Sequence, residues 1–144
     1  MAKDLGQQIK QGSESLGLTL TEDQVNRLQA YVELLDKWNK VYNLSAIRNP
    51  NEMVSRHIID SLTILPYLKG DSLLDVGTGA GLPGIPIAIM HPEIAVTLLD
   101  TNSKKTRFLQ QAKAELGLDN VTVVHARVEE AVLPKFAMVT ARAF

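Results

Sequence analysis

Asp75 stands directly ahead of a glycine run, Gly77, Gly79, Gly81 and Gly84, within Leu73-Leu74-Asp75-Val76-Gly77-Thr78-Gly79-Ala80-Gly81-Leu82-Pro83-Gly84. Bare backbone in such a run can lie against a nucleotide-like ligand, since no Cβ holds the ligand away and the turn needs positive φ. The letters Gly79-Ala80-Gly81-Leu82-Pro83-Gly84 fit the dinucleotide pattern G-x-G-x-x-G, but the apolar strand ends at Val76, so the first tight turn falls at Gly77 and the register is wrong. Asp75 argues the same way. A dinucleotide brings a pyrophosphate to this turn, and a neighbouring carboxylate repels it. S-adenosylmethionine brings an ammonium and a sulfonium and no phosphate. A carboxylate then favours binding, directly or through hydrogen bonds within the turn.

Asp100 closes the next apolar run, Val96-Thr97-Leu98-Leu99. A carboxylate there can accept from both hydroxyls of a ribose; the alternative is a cap on the following helix. Glu129 and Glu130 follow the third apolar run, with Val128 as an apolar floor for an adenine or, equally, as part of a solvated acidic turn. His57, Asp60 and Ser61 share one helical face. They do not make a hydrolase, because adjacent turns of one helix cannot supply both a nucleophile elbow and an oxyanion hole. Two readings of that face stand: a polar face bonded to its neighbour, or a face turned to a substrate. His57, His91 and His125 lack metal-ligand spacing, so no metal site is expected.

These residues need elements to position them. Residues 4–16 read as a short helix with Leu5, Ile9 and Leu16 inward. Thr21-Glu22-Asp23-Gln24 has the capping-box form and opens a long helix whose stripe is Val25, Leu28, Val32, Leu35 and Trp38 or Asn39. A further helix is expected from Asn51 to Leu65, with Val54, Ile58, Leu62 and Leu65 inward and Pro66 closing it. After Lys69-Gly70-Asp71 the pattern alternates. Strands are expected at 73–76, 96–99, 121–124 and 137–141. Helices are expected at 84–90 and, capped by Ser103, to Leu116. This order predicts an α/β fold with a parallel sheet and ligands at the carboxyl ends of the strands. The division expected is a helical N-terminal cap, 1–70, and the first part of a Rossmann-like domain, 71–144.

The chain has 144 residues, 45% hydrophobic and 22% charged, with net charge −1 and no cysteine. That suits a globular protein with no disulfides, for which a reducing cytoplasm is the default expectation. No apolar run reaches the ~18 residues of a membrane helix. Any contact with nucleic acid must come from local basic groups: Lys104, Lys105 and Arg107 at the start of the last helix, and Arg56 with His57. A solvated helix face is the competing reading of the lysines. The apolar ending, Phe136 to Phe144, leads to the expectation that this is the front part of a longer protein.

The sequence resembles the bacterial small-subunit ribosomal RNA methyltransferase G family, also called glucose-inhibited division protein B. The resemblance rests on Leu35–Leu62, Leu73–Ile89, Thr97–Leu109, Arg127–Glu130 and the closing Arg142-Ala143-Phe144. It implies a class I S-adenosylmethionine-dependent methyltransferase acting in rRNA methylation at guanine N7, with small-subunit RNA, within a ribosomal particle, as partner. It assigns cofactor contacts to Gly77, Leu82, Val128, Glu129 and Arg142; Asp75, Gly79, Gly81 and Asp100 come from the chemistry above. N7 carries no proton at neutral pH, so no catalytic residue is expected. The family continues past Phe144 with more strands and tends to carry an Asp where this chain has Ala137. Without those strands, weak or no activity is expected of this chain. The alternatives are a nicotinamide-dependent oxidoreductase, which Asp75 disfavours, and an inactive cofactor-binding fragment.

Overall fold

The computed structural model describes residues 4–141. The elements run in the order α1 (Leu5–Ser15), α2 (Glu22–Tyr42), α3 (Pro50–Met53), a π-helical segment (Val54–Ile59), α4 (Asp60–Leu62), a 3-10 turn (Leu65–Tyr67), β1 (Ser72–Val76), α5 (Gly84–Met90), β2 (Ala95–Asp100), α6 (Ser103–Leu116), β3 (Val121–His125) and β4 (Met138–Ala141). The four strands form one parallel sheet in the order β3-β2-β1-β4. The expected α/β architecture and its strand positions hold to within one or two residues.

Side chains alternate across the sheet, and the two faces differ in cover. Leu73, Val96 and Leu98 enter a large core shared with α1, α2, the π segment, α5 and α6. Leu74, Val76 and Leu99 point the other way, into a small cluster closed by Val124, Ala126, Ala131, Leu133 and Phe136. Asp75 shares the face of Leu73 and pairs in register with Leu98. It therefore points into the large core beneath α5, fully buried.

Helix α2 begins with the expected capping box: Gln24 N–H donates to Thr21 Oγ1 at 3.1 Å, and Thr21 N–H donates to Gln24 Oε1 at 2.9 Å. Its buried stripe is Val25, Leu28, Val32, Leu35 and Asn39, with Tyr31 and Leu34 in addition. Lys10 bridges to Glu22 at 2.8 Å and ties α1 to α2; that hydrogen bond holds the ammonium pKa above its ordinary value. Leu16 departs from expectation. It lies past the end of α1 and is exposed, and Ser13 takes the inward position by donating to Ile9 O at 2.7 Å.

The expected helix from Asn51 to Leu65 is broken into pieces. Buried residues come in pairs four apart, Met53-Val54, His57-Ile58 and Ser61-Leu62. An α-helix of ~3.6 residues per turn cannot keep a four-residue repeat on one side, and a wider π turn absorbs the drift. The α-helical part ends at Leu62. Pro66 disfavours α geometry at Leu65, which opens the 3-10 turn half-buried. Helix α6 is capped by Asn102, whose Oδ1 accepts from the N–H groups of Lys104 and Lys105; Ser103, the expected cap, is the first helical residue.

Candidate nucleotide-binding site

The glycine turn is built from β1 outward. The N–H groups of Gly77 and Thr78 both donate to Leu99 O, at 2.9 and 3.2 Å, so the turn leaves β1 by leaning on β2. Gly77 and Gly79 have φ of 68° and 61°, conformations that favour glycine. Gly84 serves packing instead. A Cβ there would stand 2.3 Å from Leu98 Cδ2 and 2.9 Å from Asp75 Oδ2, so α5 can sit this close to the sheet only through glycine.

Two carboxylates hold the turn. Asp75 Oδ2 accepts from Thr78 Oγ1 at 2.7 Å and from Gly84 N–H at 3.0 Å, while Oδ1 accepts from Thr140 Oγ1 at 3.1 Å. Asp100 Oδ2 accepts from Gly79 N–H at 2.8 Å and Oδ1 from Asn102 N–H at 2.9 Å. From the other side, the buried Tyr31 hydroxyl donates to Ala80 O at 2.6 Å. Replacing Tyr31 with Phe leaves that carbonyl short of a donor in the core and will destabilise the protein by about 1–2 kcal/mol. Thermal denaturation measures the change.

Two cavities meet at Gly77. One, of about 370 Å³, is lined by Val76, Gly77, Leu99, Asp100, Val128 and Glu129. The other, of about 330 Å³, is lined among others by Ser45, His57, Gly79, Leu82 and Lys105. A larger open cavity of about 920 Å³ lies between α4 and β4. It includes neither Gly77 nor Asp100, which line the smaller pair.

Most of the expected site residues therefore converge: Gly77, Asp100, Val128 and Glu129 on the first cavity, Gly79, Leu82, Lys105 and His57 on the second. Others are placed differently. Asp75 is buried under the turn and acts through hydrogen bonds, with no surface of its own. Gly81 lines neither cavity; its φ of 96° favours glycine, and a Cβ there would also press on Ile85 and Leu109, at 2.5 and 2.9 Å. Arg56, Lys104 and Arg107 are exposed and line neither cavity. Arg142 lies outside the described residues.

The face shared by His57, Asp60 and Ser61 divides. His57 and Ser61 are buried and Asp60 is exposed. Ser61 Oγ donates to His57 O at 2.6 Å, and His57 Nε2 lies 2.8 Å from Ser45 Oγ. Sequence reasoning missed the loop that this pair holds. Asn39, buried in α2, accepts from Ser45 N–H at 2.8 Å and donates to Ile47 O at 3.2 Å, and Arg48 donates to Asn39 O at 2.7 Å and to Asn43 Oδ1. The signal in the sequence is an Asn standing in the apolar stripe of α2.

Residues 24–144 match the family described as rRNA small subunit methyltransferase G. The chain is similar to the "Ribosomal RNA small subunit methyltransferase G" of Pseudomonas entomophila (strain L48): 53% identical over 142 residues, 96% of this chain and 65% of that protein. For the protein of the same name from Klebsiella pneumoniae (strain 342) the identity is 56% over 132 residues, 91% of this chain and 64% of the relative. For that of Pseudomonas aeruginosa (strain UCBPP-PA14) it is 57% over 123 residues, 85% and 58%. The chain thus spans about three-fifths of the length of these relatives. Among solved structures it resembles a precorrin-6y C5,15-methyltransferase from Geobacter metallireducens GS-15, with TM-score 0.51, 25% identity, and 57% of this chain and 45% of that one covered. It also resembles a coclaurine N-methyltransferase solved with N-methylheliamine and SAH, with TM-score 0.54, 15% identity, and 96% and 50% covered. The latter likeness concerns the fold alone, and both agree with a class I methyltransferase sheet.

Proposed function

The chain belongs to the rRNA small subunit methyltransferase G family, and on that premise we propose that it serves S-adenosylmethionine-dependent methylation of guanine N7 in small-subunit ribosomal RNA. The observation that carries the cofactor assignment is how the turn spends its N–H groups. In a dinucleotide site, N–H groups at the turn and helix N-terminus face a pyrophosphate. Here Gly79 N–H is given to Asp100 and Gly84 N–H to Asp75. A turn already satisfied by two carboxylates suits a ligand without phosphate and with positive charge.

The donor set fits the group residue by residue. Asp100 has both oxygens anchored and lone pairs left for a ribose diol. Val128 gives an apolar floor and Glu129 the adjoining wall for adenine; Gly77 lies where the two cavities meet, and Gly79 and Leu82 line the second. Arg142 is assigned to the cofactor by the resemblance alone. S-adenosylmethionine supplies, when bound, a methyl group on a sulfonium. Guanine N7 offers a lone pair and no proton, so no side chain need act as a base. What the chain contributes is position and exclusion of water.

Lys104, Lys105 and Arg107 carry no ion pair among the described residues. Their charges are free to meet RNA phosphates, which position a substrate without reading its sequence. We assign Arg56 the same role further out and His57 the substrate side of the second cavity. Residues 1–70 act as a helical cap on the sheet domain, and RNA within a ribosomal particle in the cytoplasm is the setting this reading implies.

Calorimetric titration with S-adenosylmethionine and with NAD tests the cofactor. The expected result is binding of S-adenosylmethionine with NAD weaker or undetected; tighter binding of NAD overturns the reading. Incorporation of labelled methyl at guanine N7, compared between bare small-subunit RNA and assembled particles, tests the transfer and its substrate.

A further inference from the structure

A ladder of four aromatic rings runs from the glycine turn to the surface. Tyr31, bonded to Ala80 O, lies 6.3 Å from Phe108; Phe108 lies 5.7 Å from Trp38; Trp38 lies 5.3 Å from Tyr42. Each spacing falls in the range of attractive ring pairs. The first two rings are fully buried, Trp38 is half-buried, and Tyr42 is 38% exposed. Core packing accounts for the inner rings. It accounts less for the last one, which packs on Trp38 at the end of α2 beside Val41, 69% exposed.

The surroundings of Tyr42 are cationic and lead into the site. Lys104 Nζ stands 6.0 Å over the ring centroid, the outer limit of a cation–π contact and hence loosely held. Lys105, its neighbour, lines the second cavity, as do Leu44 and Ser45, which follow the left-handed turn at Asn43. The exposed ring thus stands two residues ahead of Leu44 and against the neighbour of Lys105, both of which line the cavity, with a displaceable ammonium beside it.

We propose that Tyr42 and Lys104 form a stacking platform for an unpaired RNA base flanking the methylated guanosine: the ring takes the face of the base and the ammonium its phosphate. This rests on the RNA reading above. An aromatic face with a lysine beside it accepts any unstacked base, with little regard to sequence, whereas a base within a duplex has no face to offer.

Trp38 is the chain's single tryptophan and touches Tyr42, so it reports on the platform. The test titrates the protein, loaded with S-adenosylhomocysteine, with a labelled single-stranded RNA hexamer and with the same sequence as a duplex. Anisotropy gives affinity and Trp38 emission gives location. The single strand is expected to bind more tightly than the duplex and to change Trp38 emission. Tyr42→Leu should weaken binding by about 5- to 100-fold, as loss of one stacked base does, while Tyr42→Phe retains it. Lys104→Ala should lower the salt slope by about 0.7, one single-strand phosphate. Unchanged RNA affinity in Tyr42→Leu, equal binding of the duplex, or no binding of the hexamer by the unaltered chain overturns the platform. Calorimetry with S-adenosylmethionine on the same samples separates the two readings. Cofactor binding without an effect of Tyr42→Leu sinks the platform alone; RNA binding without cofactor binding sinks the methyltransferase assignment and leaves the platform.

Discussion

Asp75→Ala will lower the melting temperature by about 10 °C and abolish measurable cofactor binding. The carboxylate is fully buried and accepts from Thr78, Gly84 and Thr140. The two hydroxyls can turn elsewhere, but the Gly84 N–H cannot, and an orphaned buried donor costs about 1–3 kcal/mol. With the loosened turn, a total of about 3 kcal/mol follows, and for a domain of this size each kcal/mol moves the midpoint by about 2–4 °C. Asp75→Asn separates geometry from charge. Its amide oxygen can replace Oδ2 toward Thr78 and Gly84, and its amide NH₂ can face a Thr140 hydroxyl that now accepts. That variant will lose only about 1 kcal/mol. If Asn is as damaging as Ala, the negative charge matters and the three-donor geometry does not. Melting curves followed by circular dichroism, with calorimetric titration at low temperature, provide both readings.

Asp100→Ala will show the opposite balance: a small change in the melting point of the ligand-free protein and a fall of at least about 100-fold in affinity for S-adenosylmethionine. Asp100 is partly exposed on the first cavity, and the backbone groups it holds, Gly79 and Asn102 N–H, can turn to water. The proposed ribose contact would lose two hydrogen bonds to a charged acceptor, each worth about 1.5–3 kcal/mol, and ~1.4 kcal/mol is tenfold in affinity. Asp100→Asn keeps one acceptor and will fall about tenfold. The two aspartates thus separate in the melting curve: Asp75→Ala loses stability and binding together, Asp100→Ala binding alone. An Asp100→Ala variant that binds S-adenosylmethionine as the unaltered chain does would remove the carboxylate from the site.

What could be read from the residues was whatever depends on near neighbours. The glycine turn, the capping box at Thr21 and the alternation of strands and helices after Asp71 all rest on signals a few residues apart. Partners distant in the chain were not legible. The bond from Thr140 to Asp75 joins residues 65 apart and that from Tyr31 to Ala80 joins residues 49 apart, and nothing in either local pattern names the other end. The π segment escaped because apolar residues four apart read as an ordinary helix; only the burial of Met53 and His57 beside them reveals the wider turn. The cap of α6 was misplaced by one residue, from Asn102 to Ser103, because both are good caps by type. Gly81 was legible as a turn glycine, and its φ of 96° agrees; Gly84 was legible as a glycine and not in its purpose, since Leu98, the side chain that excludes a Cβ there, comes from a later element.

The unequal cover on the two faces of the sheet bears on how resistance to opening is distributed. Among the described residues, the cluster around Leu74, Val76 and Leu99 is covered by Val124 of β3 and by the strand-to-strand segment from Ala126 to Phe136, which contains no helix. With few apolar contacts and mostly exposed side chains, that segment needs less free energy to detach than α2, α5 and α6 on the opposite face, which detach only with the whole core. Val128 and Glu129 belong to this more easily opened segment. The wall proposed for the adenine therefore behaves as a folding unit of its own, and a ligand seated against it would raise the stability of this layer more than that of the core beneath.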